Sequence, residues 1–456
     1  VNGNYTQEST GTLAYGLEHY LTVKGDATLA GKLEVSAQNK GMVTEGTHQV
    51  LNANHVAGQF DSYSSTSAFL TVKGLSQTNQ DVAVDVALAD AKTAGTLSGG
   101  ISNASGELLN KLMAKANTQA VAGQSTQLTD YVANVQKVAT ATAAQAVLNS
   151  NAGALFAETP SVLLRNDTLV NAQIAQRSYQ VSKQGLTGAW VTAGYLDNTS
   201  EAKGWDTVES EIKTLSAGAD FKVTDHAILG AYISDYNEDS KFSASNGKSE
   251  TELTTIGIYG QWLSDRNYYA AANAQYGFGD TTFDRTVTDG IKTDASHAKA
   301  DLDKYGIYTE FGYALPMEQF SISPYLALSH NAVSLDQVKE SSDLGVTVGD
   351  TTAKESKAHV GTRADYQVTQ QLKLGGYAEY AYAFDRSLPN VSLTSNIDHS
   401  VDVRYRAPSF DKDFLLYGLG FNYLTANSKW NIFGDVAGNA LNAEDYQMQL
   451  GLKYAF

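Results

Sequence analysis

The stretch that most constrains what this chain can fold into is residues 443–456, AEDYQMQLGLKYAF. Tyr446, Met448, Leu450, Leu452, Tyr454 and Phe456 share one face, while Gln447, Gln449, Gly451, Lys453 and Ala455 share the other. A two-residue period means a strand. An unbroken apolar face needs something to cover it. Aromatics at both ends of such a face, with a small and polar face opposite, are what lipid asks of a membrane-spanning strand.

Composition bears on whether the rest of the chain meets the same demand. Its 456 residues include 26 Tyr against 15 Phe and 4 Trp. Tyrosine suits the border of lipid and water, because its ring is apolar and its hydroxyl stays wet. Only 5 Pro accompany 39 Gly, which favours long strands and tight turns. Mean hydropathy is −0.27, and there is no run of the ~18 apolar residues a spanning helix needs. A barrel strand escapes that test, since alternation halves its apparent hydrophobicity. The net charge of −17 argues against a nucleic-acid partner. Cysteine is absent, so there is no disulfide framework and no thiolate metal site. No signal peptide is visible, and Val1-Asn2-Gly3-Asn4 reads as a point inside a longer chain.

Three regions follow one another. Residues 1–88 hold short alternating runs such as Tyr20-Leu21-Thr22-Val23 and Asp81-Val82-Ala83-Val84-Asp85-Val86, with Gly and Asn turns. Their loose spacing fits the end of a stacked β-helix, with a small β-sandwich as the alternative. Residues 89–184 are rich in Ala, Gln, Asn and Thr and read as helical. Periodicity predicts helices at Glu107–Met113, from Leu128 to Leu148, and from Thr159-Pro160 to about Val181. Thr159 is a good N-cap there, and Pro160 suits the first helical position. That last helix carries Arg165, Asn166, Asp167, Asn171, Gln173, Gln176 and Arg177. At 1.5 Å per residue its ~22 residues span roughly 33 Å, a bilayer core's thickness. A helix so polar cannot face lipid, but it suits a wet pore.

Residues 185–456 are strand after strand. Alternation predicts twelve, at 186–197, 209–223, 226–238, 250–264, 267–283, 300–316, 320–338, 353–368, 371–386, 410–424, 428–437 and 443–456. Most exceed the usual strand length of soluble proteins and are long enough to cross a bilayer at a tilt. Thr224-Asp225, Asp265-Arg266 and Thr369-Gln370 make tight connections, whereas 239–249, 284–299, 339–352 and 387–409 read as long polar loops. Short turns on one rim and long loops on the other are the habit of outer-membrane barrels, as is an even strand number. The expected fold is an all-β, twelve-stranded antiparallel membrane barrel with an α-helix in its pore.

The order of parts resembles the autotransporters of the type V secretion system of Gram-negative bacteria. The resemblance rests on Tyr454-Ala455-Phe456, on Gly188-Ala189-Trp190 in the first strand, and on the helix before it. A weaker likeness joins Ala144-Gln145-Ala146-Val147-Leu148, Leu163-Leu164-Arg165-Asn166-Asp167 and Ala175-Gln176-Arg177 to the linker of the subtilisin-like protease subgroup. The resemblance implies a β-helical passenger stem over 1–88, a helical linker over 89–184 ending in a pore helix at about 160–182, and a translocator barrel over 185–456. It implies that the barrel inserts into the outer membrane with help from the barrel-assembly machinery and exports its own passenger to the cell surface. Partners are then outer-membrane lipid, that machinery and the passenger, for a monomeric barrel. Tyr446, Leu450, Leu452, Tyr454 and Phe456 become the assembly signal.

Little chemistry is visible. There is no nucleophile elbow, P-loop, HExxH or EF-hand motif. The eight His, at 19, 48, 55, 226, 297, 330, 359 and 399, read as surface or loop residues. The chain is expected not to be an enzyme and to hold no cofactor or metal. By resemblance, the position for self-cleavage in the pore is Asn171, followed by Ala172, where the family pattern has two asparagines. Arg165, Asp167 and Arg177 are expected to meet inward groups such as Asp220, Glu310, Glu379 or Lys453. Two other functions compete. An outer-membrane barrel enzyme would need a convergent Ser/His or Asp/His set, and neither His226 nor His330 has a suitable neighbour in sequence. A porin-like channel would not need about 185 residues before its first strand.

Overall fold

Alternation between lipid-type and polar residues becomes a closed sheet. The computed structural model describes every residue except 18, 39–40, 97–99, 168–186, 427 and 456. Twelve strands run antiparallel, each beside its sequence neighbour: β1 (Gly188–Glu201), β2 (Thr207–Thr224), β3 (Ala227–Phe242), β4 (Gly247–Leu263), β5 (Tyr268–Thr288), β6 (Thr293–Tyr313), β7 (Phe320–Leu335), β8 (Thr351–Gln367), β9 (Leu372–Ser387), β10 (Asp413–Leu424), β11 (Trp430–Asn439) and β12 (Asn442–Ala455). The first and last strands pair from Gly188↔Ala455 to Asp197↔Tyr446, which closes the barrel. Closure leaves no unpaired edge and satisfies the ladder internally, the condition for backbone in lipid.

The outward belt is apolar and open. Leu229, Ile258, Leu326 and Leu419 are 55–70% exposed, far beyond the scattered apolar exposure of a water-soluble surface. In β12, Tyr446, Met448, Leu450, Leu452 and Tyr454 face out, as alternation predicts, and Gln447 and Lys453 are buried inside. Phe456 lies outside the described residues.

Inside, aromatic rings lie on glycines directly across the ladder. Tyr232 faces Gly257, Tyr259 faces Gly230, Tyr269 faces Gly312 and Tyr325 faces Gly361. A Cβ on any of these glycines would come within 2.3–2.4 Å of the opposing ring. Trp190 over Gly218, Tyr377 over Gly418 and Phe433 over Gly451 repeat the arrangement.

The twelve predicted strands are present, but the far ends run on. Residues 239–249 and 284–299, expected as long loops, instead extend β3–β4 and β5–β6 to turns at 243–246 and 289–292. Their polar residues pair across the ladder, as in Asp239↔Glu250 and Asp284↔His297. The two loops between β7 and β8 and between β9 and β10 form a small sheet of Val338–Lys339, Val346–Val348, Asn390–Ser395 and Asp402–Arg406. It sits on the long-loop rim, opposite the rim that carries the short turns, Gly188 and Ala455.

Three helices precede the pore: α1 (Gly100–Val121), α2 (Gln127–Val135) and α3 (Ala141–Ser150). The single helix expected over Leu128–Leu148 is therefore two. Thr140 caps α3 by accepting from the Ala143 N–H, and Thr126 caps α2 in a capping box with Thr129. Gly153, at φ 56°, turns the chain into a further helical stretch at 154–167. That helix does not start at Thr159-Pro160. Thr159 lies inside it and donates its hydroxyl to the Leu155 carbonyl at 2.7 Å. Every residue from 154 to 167 is buried, and this packing overrides the capping preference.

Residues 1–88 wind in circuits. Tyr5–Thr6, Asp26–Leu29 and His55–Gly58 stack in parallel, and so do Thr12–Gly16, Lys32–Ser36 and Ser62–Ser65. Leu21–Thr22 lies parallel to Gly46–Asn52 on the third side. Leu33, Val35, Val50, Leu51, Val82 and Val84 fill the centre. At the Gly58 corner, φ is 71° and a Cβ would lie 2.2 Å from the Leu29 carbonyl oxygen, so glycine is required. Two antiparallel strands, Leu70–Gln77 and Asp81–Leu88, end the coil.

Candidate functional site

The barrel is not empty. Residues 154–167 descend from the long-loop rim into the lumen, and their last three residues grip four strands. Arg165 Nη2 meets Asp445 Oδ2 of β12 at 2.7 Å, both side chains buried. Asn166 donates to Glu238 Oε1 of β3 at 3.0 Å and accepts from Asn198 of β1 at 2.7 Å. Asp167 accepts from Lys304 Nζ of β6 at 2.5 Å, and that ammonium also lies 4.5 Å from the Tyr236 ring centroid. The guanidinium of Arg165 stands 5.6 Å from the ring centroid of Phe414. A buried ion without partners is expensive, so this charge pattern fits these barrel strands.

The partners of Arg165 and Asp167 differ from those expected. Asp220 instead takes Lys453 at 3.1 Å, the Tyr259 hydroxyl at 2.9 Å and the Gly188 N–H at 3.0 Å, beside the short-turn rim. Glu310 accepts from Arg363 and from the hydroxyls of Tyr269 and Tyr308 at 2.7 and 2.6 Å. Glu379 accepts from Tyr325 at 2.6 Å and from His359 at 2.8 Å. His359 is therefore a buried lumen residue and not a surface one, and a sequence without register could not show which strands it meets. Asn171, Ala172 and Arg177 lie outside the described residues.

Above the gripping residues, α1–α3 seat on the long-loop rim. Leu108, Leu112, Val135, Val147 and Phe156 share one core with Leu196, Ile212, Phe283 and Val333 of the barrel wall and with Val346, Val348, Leu393 and Val403 of the rim sheet. Polar contacts lock the edges. Lys115 pairs with Asp398 at 2.5 Å, Asn134 donates to Asp289 at 2.8 Å, and Asn149 donates to the Ala244 carbonyl at 2.6 Å. Arg285 pairs with Glu340 at 2.5 Å and donates to the carbonyls of Asn149 and Ser150, both at 2.9 Å. A guanidinium there satisfies the last carbonyls of α3 and complements its dipole.

One rim contact titrates. Glu158 Oε1 accepts from the Asp206 N–H at 2.9 Å, at the β1–β2 loop beyond the apolar belt. Burial, and then the Asp206 carboxylate beside it, push the Glu158 carboxyl well above its ordinary 4.5. The folded state therefore holds a proton that the unfolded state gives up. This carboxyl favours folding most below the ordinary glutamate range, and stability falls as pH rises above ~4.5. Glu158→Gln is expected to flatten that slope, raising the thermal midpoint by several degrees at pH 8 and little at pH 4.5. An unchanged slope by circular dichroism refutes the assignment.

Arg165, Asn166 and Asp167, singled out in the sequence, thus find buried partners on four strands, and Asp220, Glu310, Glu379 and Lys453 face inward as expected, although the sequence does not give their pairing with one another or with Arg363 and His359. Comparison with known proteins fits this geometry. The profile of the Autotransporter beta-domain family matches residues 187–437, over half of the 456-residue chain. The translocator domain of the autotransporter NalP from Neisseria meningitidis aligns over 64% of this chain and 98% of that one, at 15% identity and a TM-score of 0.49. The β domain of the Bordetella autotransporter BrkA aligns over 59% and 100%, at 14% identity and a TM-score of 0.42. The transport unit of AIDA-I from Escherichia coli aligns over 59% and 90%, at 15% identity and a TM-score of 0.38. A sequence comparison with curated proteins gives no match. The chain belongs to the autotransporter β-domain family, and its barrel is a Gram-negative outer-membrane translocator that exports a passenger.

Proposed function

We propose that this chain is held in its state after export, with its own linker in the pore and the end of a β-helical passenger on the cell surface. The carrying observation is the burial of Arg165, Asn166 and Asp167 by partners on four strands. The circuits of residues 1–88 stand beyond α1–α3, where Gln136 donates to the Val43 carbonyl at 2.9 Å. Their parallel stacking supports reading them as the base of a longer passenger. The barrel works as a monomer, with outer-membrane lipid around its belt and the barrel-assembly machinery as its insertion partner. The outward residues Tyr446, Leu450, Leu452 and Tyr454 are the part of the assembly signal that faces that partner. The chain is a transport device and not an enzyme for a diffusing substrate. The filled lumen disfavours a porin.

The pore reading is tested by conductance in planar bilayers. The full chain is expected to conduct weakly, and deletion of residues 100–167 is expected to raise single-channel conductance several-fold. Equal conductance of the two overturns the plug.

A further inference from the structure

Two of the three residue types that grip the lumen are common upstream of it, and one is not. Residues 1–164 contain twelve Asn, six Asp and eight of the 24 Lys, but none of the eight Arg. Lysine is about as frequent before this point as after it, so the gap is specific to guanidinium. Arg165 is the first arginine of the sequence. Among the described residues it is also the first of the descending helix to form an ion pair with the barrel wall.

Guanidinium keeps its charge in any surroundings, meets a carboxylate through two parallel N–H groups, and sheds water readily to lie on aromatic rings. The lumen wall offers both kinds of surface. Asp445 stands with Phe414, whose ring centroid is 5.6 Å from the Arg165 guanidinium. Glu310 stands with Tyr325, whose ring centroid is 4.0 Å from the Arg363 guanidinium. A third carboxylate lies lower. Asp435 of β11 faces the lumen, 9% exposed, and accepts from the Gln449 amide. Among the described residues no cation pairs with it. Gln449, directly opposite, is four residues nearer the short-turn rim than Asp445. At ~3.3 Å per residue that is roughly 13 Å along the strand. A chain moving outward therefore passes Asp435 before it reaches Asp445.

We propose that the lumen reads arginine in the polypeptide it exports. Asp435 slows each guanidinium that passes, and outward travel stops when Arg165 seats on Asp445. The polypeptide that moves freely through this barrel is then one whose only fixed cations are lysines. This rests on the reading that residues 1–164 were exported through the lumen. Asn and Asp occur throughout those residues and passed Glu238 and Lys304, which now hold Asn166 and Asp167. Lysine passed as well, because an ammonium meets a carboxylate as a hydrated point charge without the two-pronged geometry. Of the three gripping residue types, only arginine is new at the stop.

The test is pulse-chase export in cells making the full-length protein, read by added protease that cuts only surface chain. Lys24→Arg and Lys73→Arg each place one arginine at an exposed position of the coil without changing its charge. Each is expected to delay surface appearance by about threefold or more, while Lys73→Gln keeps the wild-type rate. Wild-type rates in both arginine variants overturn the proposal. An equal delay in Lys73→Gln also overturns it, since the cause is then folding of the coil. Asp435→Asn is expected to remove most of the arginine delay, and a delay left intact overturns Asp435 as the reader. The stop is read separately, in a chain that has no cysteine of its own. Ser161→Cys, at a buried position, is expected to resist a membrane-impermeant maleimide when residue 165 is Arg and to be labelled from outside with Arg165→Lys. Labelling is read on the compact form in unheated gels, so unfolded chain does not count. Equal labelling overturns Arg165 as the stop. Conductance tests the plug without any export step, and the delay needs no plug, so failure of one reading is distinguishable from failure of the other.

Discussion

Arg363→Met is expected to lower the barrel's thermal midpoint by roughly 10 °C, on the scale of a few degrees per kcal/mol for a domain of this size. Arg363 is 2% exposed and Glu310 is 5% exposed. The guanidinium donates to both oxygens of Glu310 and lies 4.0 Å from the Tyr325 ring centroid. Its removal leaves a buried carboxylate with two phenol donors, Tyr269 and Tyr308, and no counter-charge among the described residues. Breaking such a pair from one side costs ~3–5 kcal/mol, because the remaining ion stays desolvated. Arg363→Met combined with Glu310→Gln is expected to recover most of the loss, since a neutral amide no longer needs the charge. Arg363→Lys falls between, keeping the charge without the two-pronged geometry. The readout is the compact form on unheated gels as temperature rises. A single variant as stable as the wild type, or a double variant worse than the single, contradicts this account.

Gly257→Val carries the next largest effect. Its Cβ would stand 2.3 Å from the Tyr232 ring. Tyr232 belongs to a buried trio with Trp190 and Tyr259 and donates to Gln275 at 2.9 Å. Trp190 donates to the Tyr259 hydroxyl at 3.0 Å, so the rings are fixed at both ends. Valine favours strands by up to ~1 kcal/mol, but overpacking here costs ~1–3 kcal/mol and the displaced phenol loses its partner. The expected net loss is about 2 kcal/mol, with reduced yield of folded barrel. Tyr232→Ala should remove the penalty of valine, so the two changes together should be milder than their sum. Additive losses in that cycle argue that the ring and the glycine do not touch.

The barrel was legible because lipid and lumen impose opposite chemistry on alternate residues. Ile256, Ile258 and Trp262 alternate with Gly257, Tyr259 and Gln261, and no register is needed to read that. Beyond the apolar belt the signal vanishes. At Asp239 and Glu250 both faces are polar, so alternation cannot separate a paired strand from a loop. A polar helix before the barrel was legible as far as Asp167, but its start was not, since burial and not capping decides it; the rest of the expected helix, to about 182, lies outside the described residues. Charge partners were the least legible. Arg165 meets Asp445 across 280 residues of sequence, and only the register of a closed sheet brings them together. The same holds for Tyr325, His359 and Glu379. Each is an ordinary residue on its own strand, and the line they form exists only across two pairings.

The core shared by α1–α3, the barrel wall and the rim sheet also sets a rate. A folded bundle of three helices, packed on one another and on the rim, is wider than the single helix that fits below it. Retreat through the ring then requires the bundle to melt first. The return rate is bounded by the opening rate of that unit, which rises steeply with temperature and does not depend on any pull from the inner side. Folding at the mouth makes the device a ratchet whose backward step is an unfolding barrier.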